Sequence, residues 1–337
     1  MRIAICGVGG IGGPLAAFLL REGRDVTLVT GSARVAEAIA RDGLRVTGRF
    51  GNCVVRTPNV ATELYGIPYD SILLATRSDA LEPAARAAIP FLKPDGFVVT
   101  LQNGIPEPRA QKIVGADRVL GAVVGYGGTM HAPGVYEVTG GGGLTIGEVG
   151  RPATPRVRAL AEELSAAVSV RVTDNLAGAR WTKLALNCAL SSLGAALGLT
   201  AGEMVAQASI RRAFFTIVSE VVDVADAEGV KLEPLVGLDL KRLYLRPGGH
   251  VPFAAEMLLR AAGFKYRRVR SGMLQRLEQG RPTGQIDDLS GFVALAAVAH
   301  GLAAPLNALT CEIVKSIERG EATIGLHHLP AIAQRLR

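Results

Sequence analysis

Short apolar runs and helical stripes alternate along the first half of the chain. The runs predict buried strands at residues 2–6, 25–29, 71–75, 97–101 and 119–124, with β-type alternation over 44–57. Apolar positions spaced three and four residues apart predict helices over residues 11–20, 33–41 and 80–91. Because strands and helices alternate, we expect a parallel sheet with crossover helices in this half.

The second half of the chain carries longer helical periods and few strand signals. Apolar residues recur at helical spacing over residues 176–199, 210–229 and 287–301. The glycine-rich stretch at residues 125–150 is interpreted as a hairpin and loop that close the first domain. The pattern predicts an α/β fold, with a parallel-sheet domain over residues 1–173 and an all-α domain over residues 174–337.

A glycine cluster follows the first predicted strand directly and opens the first predicted helix. It fits the G-x-G-x-x-G pattern and comprises Gly7, Val8, Gly9, Gly10, Ile11 and Gly12. In such a loop the first glycine turns tightly, the second lets the backbone approach a pyrophosphate, and the third lets the helix pack on the strand. The first domain is therefore predicted to be a Rossmann-type domain that binds a dinucleotide.

The end of the second predicted strand indicates which dinucleotide is bound. Proteins that bind NAD place an acidic residue there to hold the ribose hydroxyls. This chain has no acid at that point, whereas the Ser32 hydroxyl and the Arg34 guanidinium can both hold a phosphate. The sequence therefore predicts NADP(H), with an ordinary solvated helix position as the alternative reading of Arg34.

Three polar residues share one face of a predicted helix that is otherwise apolar. Lys183, Asn187 and Ser191 are spaced four residues apart, which stacks them on one side at helical period. A lysine on a buried helix is costly unless its charge is used or paired. The face is predicted to line a cleft for a small polar molecule, and the alternative is a lysine whose ammonium reaches solvent from an ordinary helix.

The composition indicates a globular protein with a large core. Its 337 residues, 49% hydrophobic and 20% charged, suit two domains. The four cysteines are scattered, so neither a disulfide framework nor a metal site is predicted and a reducing compartment fits best. No apolar run reaches the roughly 18 residues of a membrane span, so we expect a cytoplasmic protein with no membrane partner.

The net charge of +7 favours anionic partners in general, and the partner that we expect is a small-molecule anionic substrate. The densest basic stretch, at residues 265–270, could touch nucleic acid. One short run lacks any nucleic-acid-binding fold signature, so it is interpreted as a solvated face and no nucleic-acid partner is expected. The oligomeric state is left open, with a homodimer as one alternative.

A series of motifs in a fixed order resembles the ketopantoate reductase (2-dehydropantoate 2-reductase) family. After the glycine loop the motifs are Ala75-Thr76-Arg77-Ser78, Leu101-Gln102-Asn103-Gly104, Pro133-Gly134, Trp181-Thr182-Lys183-Leu184 with Asn187, Gly280-Arg281-Pro282-Thr283, Ile286-Asp287, Ala299-His300-Gly301 and Pro305-Leu306-Asn307. The resemblance implies a Rossmann domain, a helical C-terminal domain and NADPH. It also implies hydride transfer to the ketone of a 2-oxo acid.

The resemblance assigns roles to individual residues. Lys183 matches the lysine that protonates the nascent alkoxide, as suits a positioned ammonium group. Asn103 matches the asparagine that positions cofactor and lysine, although an ordinary turn residue before glycine is the alternative. Arg77 stands where the family commonly has a lysine that contacts the cofactor, and Asn187 is a substrate contact.

The chain departs from the family pattern at the implied substrate site. Ser191 replaces a second asparagine, and Gly272 replaces a serine, although Ser271 is adjacent. The family's aspartate after Met-Leu-Gln is Arg276. One residue is inserted after Thr283, and Gln285 replaces the glutamate that bonds the substrate hydroxyl. Loss of a charge-assisted hydrogen bond worth roughly 1.5–3 kcal/mol could lower ketopantoate affinity tenfold or more.

The sequence and the resemblance together leave three functions open. The first is an NADPH-dependent reductase of 2-dehydropantoate to pantoate, with Lys183 as general acid. The second is an NADP-dependent enzyme of the same family that acts on a different 2-oxo acid, 2-hydroxy acid or alcohol. The third is a non-catalytic NADP-binding regulator, which predicts loss of the catalytic lysine, whereas Lys183 is present.

Overall fold

The computed structural model describes residues 1–57, 59–235, 239–245, 249–265 and 270–336. The chain divides into two compact units, Met1–Leu176 and Ala177–Arg337. The division lies close to the predicted boundary after residue 173. Residues 266–269 of the basic run lie outside the described residues, so the interpretation of that run stays a prediction.

The first unit contains all the strands found in the described residues. They are β1 (Ile3–Cys6), β2 (Val26–Val29), β3 (Leu44–Gly48), β4 (Cys53–Val55), β5 (Val60–Ala61), β6 (Tyr69–Leu74), β7 (Leu92–Thr100), β8 (Val119–Val124), β9 (Gly128–Ala132), β10 (Val135–Val138), β11 (Leu144–Glu148) and β12 (Val170–Val172). The helices of this unit are α1 (Gly12–Arg21), α2 (Ala33–Asp42), α3 (Leu81–Ala88), α4 (Glu107–Val114) and α5 (Pro155–Ser165).

The main sheet has the strand order β12-β11-β8-β7-β6-β1-β2-β5 in the described part of this unit. Six adjacent strands of this sheet run parallel to one another, in the order β8-β7-β6-β1-β2-β5. The next strand, β11, runs antiparallel to β8. All residues of β1 and β2 are buried, which is why their sequences read as continuous apolar runs. The strand order reverses at β1, and ligands of such sheets bind at the carboxyl ends of the strands beside this point.

A second, smaller sheet has the order β4-β3-β10-β9 and packs against α1. The predicted hairpin in the glycine-rich stretch is present, because β9 and β10 pair antiparallel. The interpretation of residues 125–150 as a simple closing loop was incomplete, since β10 also pairs in parallel with β3 and β11 extends the main sheet. These pairings join residues that are distant in sequence, so no local pattern announces them.

The described residues of the second unit form helices and connecting loops, and no strand. Its helices are α6 (Leu176–Leu186), which begins at the last residue of the first unit, α7 (Leu193–Leu197), α8 (Ala201–Ala206), α9 (Ala208–Ala227), α10 (Phe253–Lys265), α11 (Gly272–Glu278), α12 (Phe292–Ala299), α13 (Pro305–Glu318) and α14 (Leu329–Ala333). The predicted fold class, a Rossmann-type domain followed by an all-α domain, is confirmed. No helix among the described residues has the length and apolar character that crossing a bilayer requires.

A buried carboxylate stabilises the start of α13. Glu220 on α9 is fully buried and accepts hydrogen bonds from the Leu306 and Asn307 backbone N–H groups, each at 2.9 Å, and from the Asn307 side chain at 2.7 Å. The first N–H groups of a helix lack partners within the helix, and an anion there is favoured by the helix dipole. The Pro305-Leu306-Asn307 motif therefore has a structural explanation within the second unit.

Candidate functional site

The glycine loop joins β1 to α1, and the glycines of its motif differ in how closely other atoms approach them. Gly7 has a φ of +103°, and a Cβ there would lie 2.6 Å from the Ala75 carbonyl carbon. A Cβ on Gly12 would overlap the Gly7 carbonyl oxygen. A Cβ on Gly9 would meet no described protein atom within 4 Å apart from its chain neighbours. Gly9 therefore leaves an open approach to the backbone, as a bound pyrophosphate requires.

Three residues that sequence reasoning did not identify hold this loop from the protein side. The Tyr136 hydroxyl donates to the Val8 carbonyl at 2.8 Å, and the Tyr126 hydroxyl donates to the Ile11 carbonyl at 3.1 Å. A Cβ on Gly10 would overlap the carbonyl oxygen of Gly128, the first residue of β9. Both tyrosines are buried, which raises the pKa of each phenol. No motif marks these positions, because their contacts cross more than 100 residues of sequence.

The residues predicted to select NADP(H) follow the carboxyl end of β2. Ser32 precedes α2 as its N-cap, and its side chain makes no capping hydrogen bond with that helix. Both Ser32 and Arg34 are exposed, and no ion pair with another described residue engages Arg34. Both side chains are therefore available to an anion at this edge of the sheet.

The predicted cofactor contacts Arg77 and Asn103 follow the carboxyl ends of β6 and β7. The Gln102 side chain donates to the Thr76 carbonyl at 3.2 Å and to the Thr76 hydroxyl at 3.1 Å, which joins the two strand ends. Asn103 is half-buried and is followed by Gly104, whose φ of +80° turns the chain. Arg77 is exposed and ion-paired with Asp79, whose pKa it lowers.

Lys183 lies on α6 in the second unit. Its side chain is half-buried, and desolvation of the ammonium lowers the pKa of Lys183 from its ordinary value to about 7. The positive charge of Arg180, which is buried one turn earlier on the same helix, lowers the pKa of Lys183 further. Charged and neutral forms of this lysine therefore coexist near neutral pH, which is the condition for efficient proton transfer.

Asn187 and Ser191 lie on a π-helical segment, Asn187–Ser192, between α6 and α7. The Asn187 Nδ2 atom is buried and has no hydrogen-bond partner in the described part of the chain. The wider turn also changes the phase of the helix at Asn187, so a strict 3.6-residue spacing does not describe the predicted polar face beyond this residue. Single π-turns inside helices are frequent at functional sites.

The predicted substrate residues Ser271 and Gln285 lie near the ends of other helical segments. Ser271 is the N-cap of α11, accepting from the Leu274 N–H at 3.1 Å and donating to the Ser191 carbonyl at 3.5 Å. Two of the predicted substrate positions are thus brought together. Gln285 is half-buried and follows Gly284, whose φ of +68° lies in the left-handed region that favours glycine.

The described residues contain no group of three or more histidine, cysteine, aspartate or glutamate side chains that could hold a metal ion. The predicted site residues offer a lysine whose pKa burial lowers to about 7, half-buried hydroxyl and amide groups, and a glycine loop of the kind that binds a dinucleotide.

Two family models match the chain. The model described as "Ketopantoate reductase PanE/ApbA" matches residues 3–151, and "Ketopantoate reductase PanE/ApbA C terminal" matches residues 175–318. A protein named 2-dehydropantoate 2-reductase from Pyrococcus horikoshii is 29% identical over 319 residues, covering 94% of this chain and 98% of that protein. Another of that name from Mesorhizobium japonicum is 30% identical, covering 87% of this chain and 90% of that protein.

Solved structures agree with this match. A PanE/ApbA family ketopantoate reductase from Ralstonia eutropha JMP134 superposes with a TM-score of 0.79 at 28% identity, covering 95% of this chain and 99% of that one. D-mandelate dehydrogenase, crystallised with NADH and anilino(oxo)acetate, has a TM-score of 0.81 at 22% identity with the same coverage, which is a likeness of fold. From the two family models and these relatives, the chain is an oxidoreductase that belongs to the ketopantoate reductase family.

Proposed function

We propose that the protein is an NADPH-dependent reductase that converts 2-dehydropantoate to pantoate, with Lys183 as the general acid. The observation that carries the proposal is the desolvated lysine, with a pKa of about 7, on the helix of the family motif. The relatives named 2-dehydropantoate 2-reductase support the reaction. A silent regulator would have no use for a costly desolvated ammonium group.

NADPH, when bound at the glycine loop, supplies a hydride to the carbonyl carbon of the oxo acid. The Lys183 ammonium hydrogen-bonds the carbonyl oxygen and stabilises the negative charge that develops on it. The ammonium then gives one proton to that oxygen, so that the ketone becomes a hydroxyl group and the lysine becomes a neutral amine. Solvent returns the proton to the amine before the next turnover. Asn103 is proposed to position the cofactor.

The preference for NADPH over NADH is proposed from Ser32 and Arg34. The absence of an acid after β2 and the exposure of both side chains support a site for the 2′-phosphate. R34A is expected to raise the KM for NADPH about tenfold and to leave the KM for NADH unchanged, since a charge-assisted hydrogen bond contributes about 1.5–3 kcal/mol. R41A is a matched control, because Arg41 is exposed at the far end of the same helix and pairs with Asp42. Equal effects of R34A on both cofactors would contradict this assignment.

The proposed substrate contacts are Asn187, Ser191, Ser271 and Gln285. The unpartnered amide of Asn187 supports a polar ligand there, since a buried amide without a partner costs free energy. Gln285 in place of the family's glutamate favours a second candidate, a different 2-oxo or 2-hydroxy acid. D-mandelate dehydrogenase shares the fold, so the fold does not fix the substrate.

Steady-state kinetics with a panel of 2-oxo acids tests the proposed function. We expect 2-dehydropantoate with NADPH to give the highest kcat/KM. A higher kcat/KM for another 2-oxo acid would favour the second candidate. Dinucleotide binding without turnover of any panel member would contradict both enzymatic functions.

All four cysteines are free and buried, which suits a reducing compartment, and we place the proposed reaction in the cytoplasm.

A further inference from the structure

The Rossmann glycine loop is supported by the segment that runs from the end of β8 through the β9–β10 hairpin. Tyr126 follows β8, and its ring packs edge-on against Phe50 with centroids 5.2 Å apart. Tyr136 is on β10, where its ring occupies the space that a side chain at Gly13 would need. Both hydroxyls donate to carbonyl groups of the loop. The two phenols are fixed by their own packing, so they impose a position on the loop.

These two hydrogen bonds set the direction of the N–H groups that a pyrophosphate would use. The C=O and N–H of a trans peptide point in opposite directions, and no cis peptide bond occurs among the described residues. Fixing the Val8 carbonyl towards Tyr136 therefore turns the Gly9 N–H away from β10. Fixing the Ile11 carbonyl towards Tyr126 likewise orients the N–H of Gly12, the first residue of α1. Amides at such a loop and helix start are the groups that bind phosphate.

We infer that Tyr136 and Tyr126 are positioning residues for dinucleotide binding. Their hydroxyls fix the Val8–Gly9 and Ile11–Gly12 peptide planes in the orientation that the dinucleotide needs. The inference rests on the proposed binding of NADPH at the glycine loop. Gly9 has no side chain to restrict its backbone, so without the Tyr136 hydroxyl the Val8–Gly9 peptide can rotate. Binding must then order this peptide, and the affinity for the dinucleotide falls.

The test is the Y136F variant in the full-length protein, with Y126F and the double variant beside it. Dissociation constants for NADPH come from its fluorescence on titration, and KM and kcat come from steady-state kinetics. We expect Y136F to raise the Kd and KM for NADPH about threefold to tenfold, the range for one hydrogen bond. The double variant should lose more affinity than either single variant. The kcat at saturating NADPH and the KM for the oxo acid should stay unchanged.

Y69F is the matched control. Tyr69 is a buried tyrosine of the same unit, and its hydroxyl donates to the Tyr65 carbonyl at 2.9 Å. Y69F removes the same kind of hydrogen bond outside the loop and should lower the Tm without changing the Kd for NADPH. If Y136F and Y126F lower the Tm and leave the Kd unchanged, the tyrosines are only structural and the inference is wrong. If the unmodified protein does not bind NADPH, the proposed function fails instead.

Discussion

The glycine loop and the Lys183–Asn187 stretch show two different ways of preparing a site. In the loop, two carbonyl groups accept hydrogen bonds from tyrosines, and of the four motif glycines only Gly9 has no described atom near the position of a Cβ. In the helix, a lysine is desolvated and an amide nitrogen is buried without a described partner. The loop's requirements are steric and are met within the protein. The helix's requirement is electrostatic, since a buried Asn187 amide nitrogen without a described partner costs the protein stability, and we propose that a ligand supplies that partner.

The largest expected effects distinguish two glycines of the loop. G9A adds a methyl group where no described atom lies within 4 Å, so the Tm should stay within about 2 °C of the unmodified value while the affinity for NADPH falls about 100-fold. G10A forces its methyl group against the Gly128 carbonyl, so it should also lower the free energy of unfolding by about 1–3 kcal/mol. Thermal unfolding and NADPH titration of both variants measure the difference. A G9A protein that binds NADPH normally would contradict the proposal that the pyrophosphate approaches the loop at Gly9.

The second prediction compares the half-buried Asn187 with the fully buried Asn307. N187L replaces an amide that has no described partner, so the free energy of unfolding should be unchanged or rise by about 1 kcal/mol, while the KM for the oxo acid rises about tenfold to 100-fold. N307L removes a donor from the buried Glu220 carboxylate and should destabilise the protein by about 2–3 kcal/mol. Denaturant unfolding and steady-state kinetics separate the two cases. If N187L destabilises the protein as much as N307L does, Asn187 is a structural residue.

The smallest expected effect concerns Gln285. Q285E restores the carboxylate that the family resemblance places against the substrate hydroxyl, and it should raise kcat/KM for 2-dehydropantoate about tenfold. Q279E adds the same charge at the exposed end of α11 and should have no effect. Kinetics with 2-dehydropantoate and a second 2-oxo acid measure the change. An equal gain for both substrates would indicate that the added charge acts without contacting the substrate hydroxyl.

Much of the first unit follows from local sequence patterns. The buried strands β1 and β2 and the helix α1 were predicted from apolar runs and periods. The predicted helix over residues 80–91 is α3, with 3₁₀ turns at Ser78–Ala80 and Ile89–Phe91 at its two ends. Two helices were missed: α4 buries only Glu107, Ala110 and Val114, which gives too short an apolar stripe to recognise. The other, α5, received no prediction, although its Pro155 at the first helical position is a typical start signal.

The candidate site likewise has features that the sequence predicted and features that it did not. The glycine motif identifies its loop because backbone geometry demands glycine in a fixed order. The resemblance supplied Lys183 and Asn187, and their spacing indicated a polar face. The tyrosines behind the loop depend on contacts between distant segments, and the lowered pKa of Lys183 depends mainly on its burial in the folded protein, so spacing along the chain could not reveal them. The π-turn at Asn187 was not predicted from the spacing either. The resemblance itself is confirmed by family models that match both halves.

The most direct test of the account is the pH dependence of kcat/KM for oxo-acid reduction at saturating NADPH. The proposed reduction needs the Lys183 ammonium, and desolvation by burial lowers the pKa of Lys183 to about 7. We therefore predict a plateau below pH 7 and a tenfold fall per pH unit above it, with the reverse oxidation rising over the same range. K183R keeps the charge but cannot release a proton, so its small residual activity should show no such inflection. A reduction rate that stays level from pH 6 to about 10, where an ordinary lysine titrates, would contradict Lys183 as a desolvated general acid.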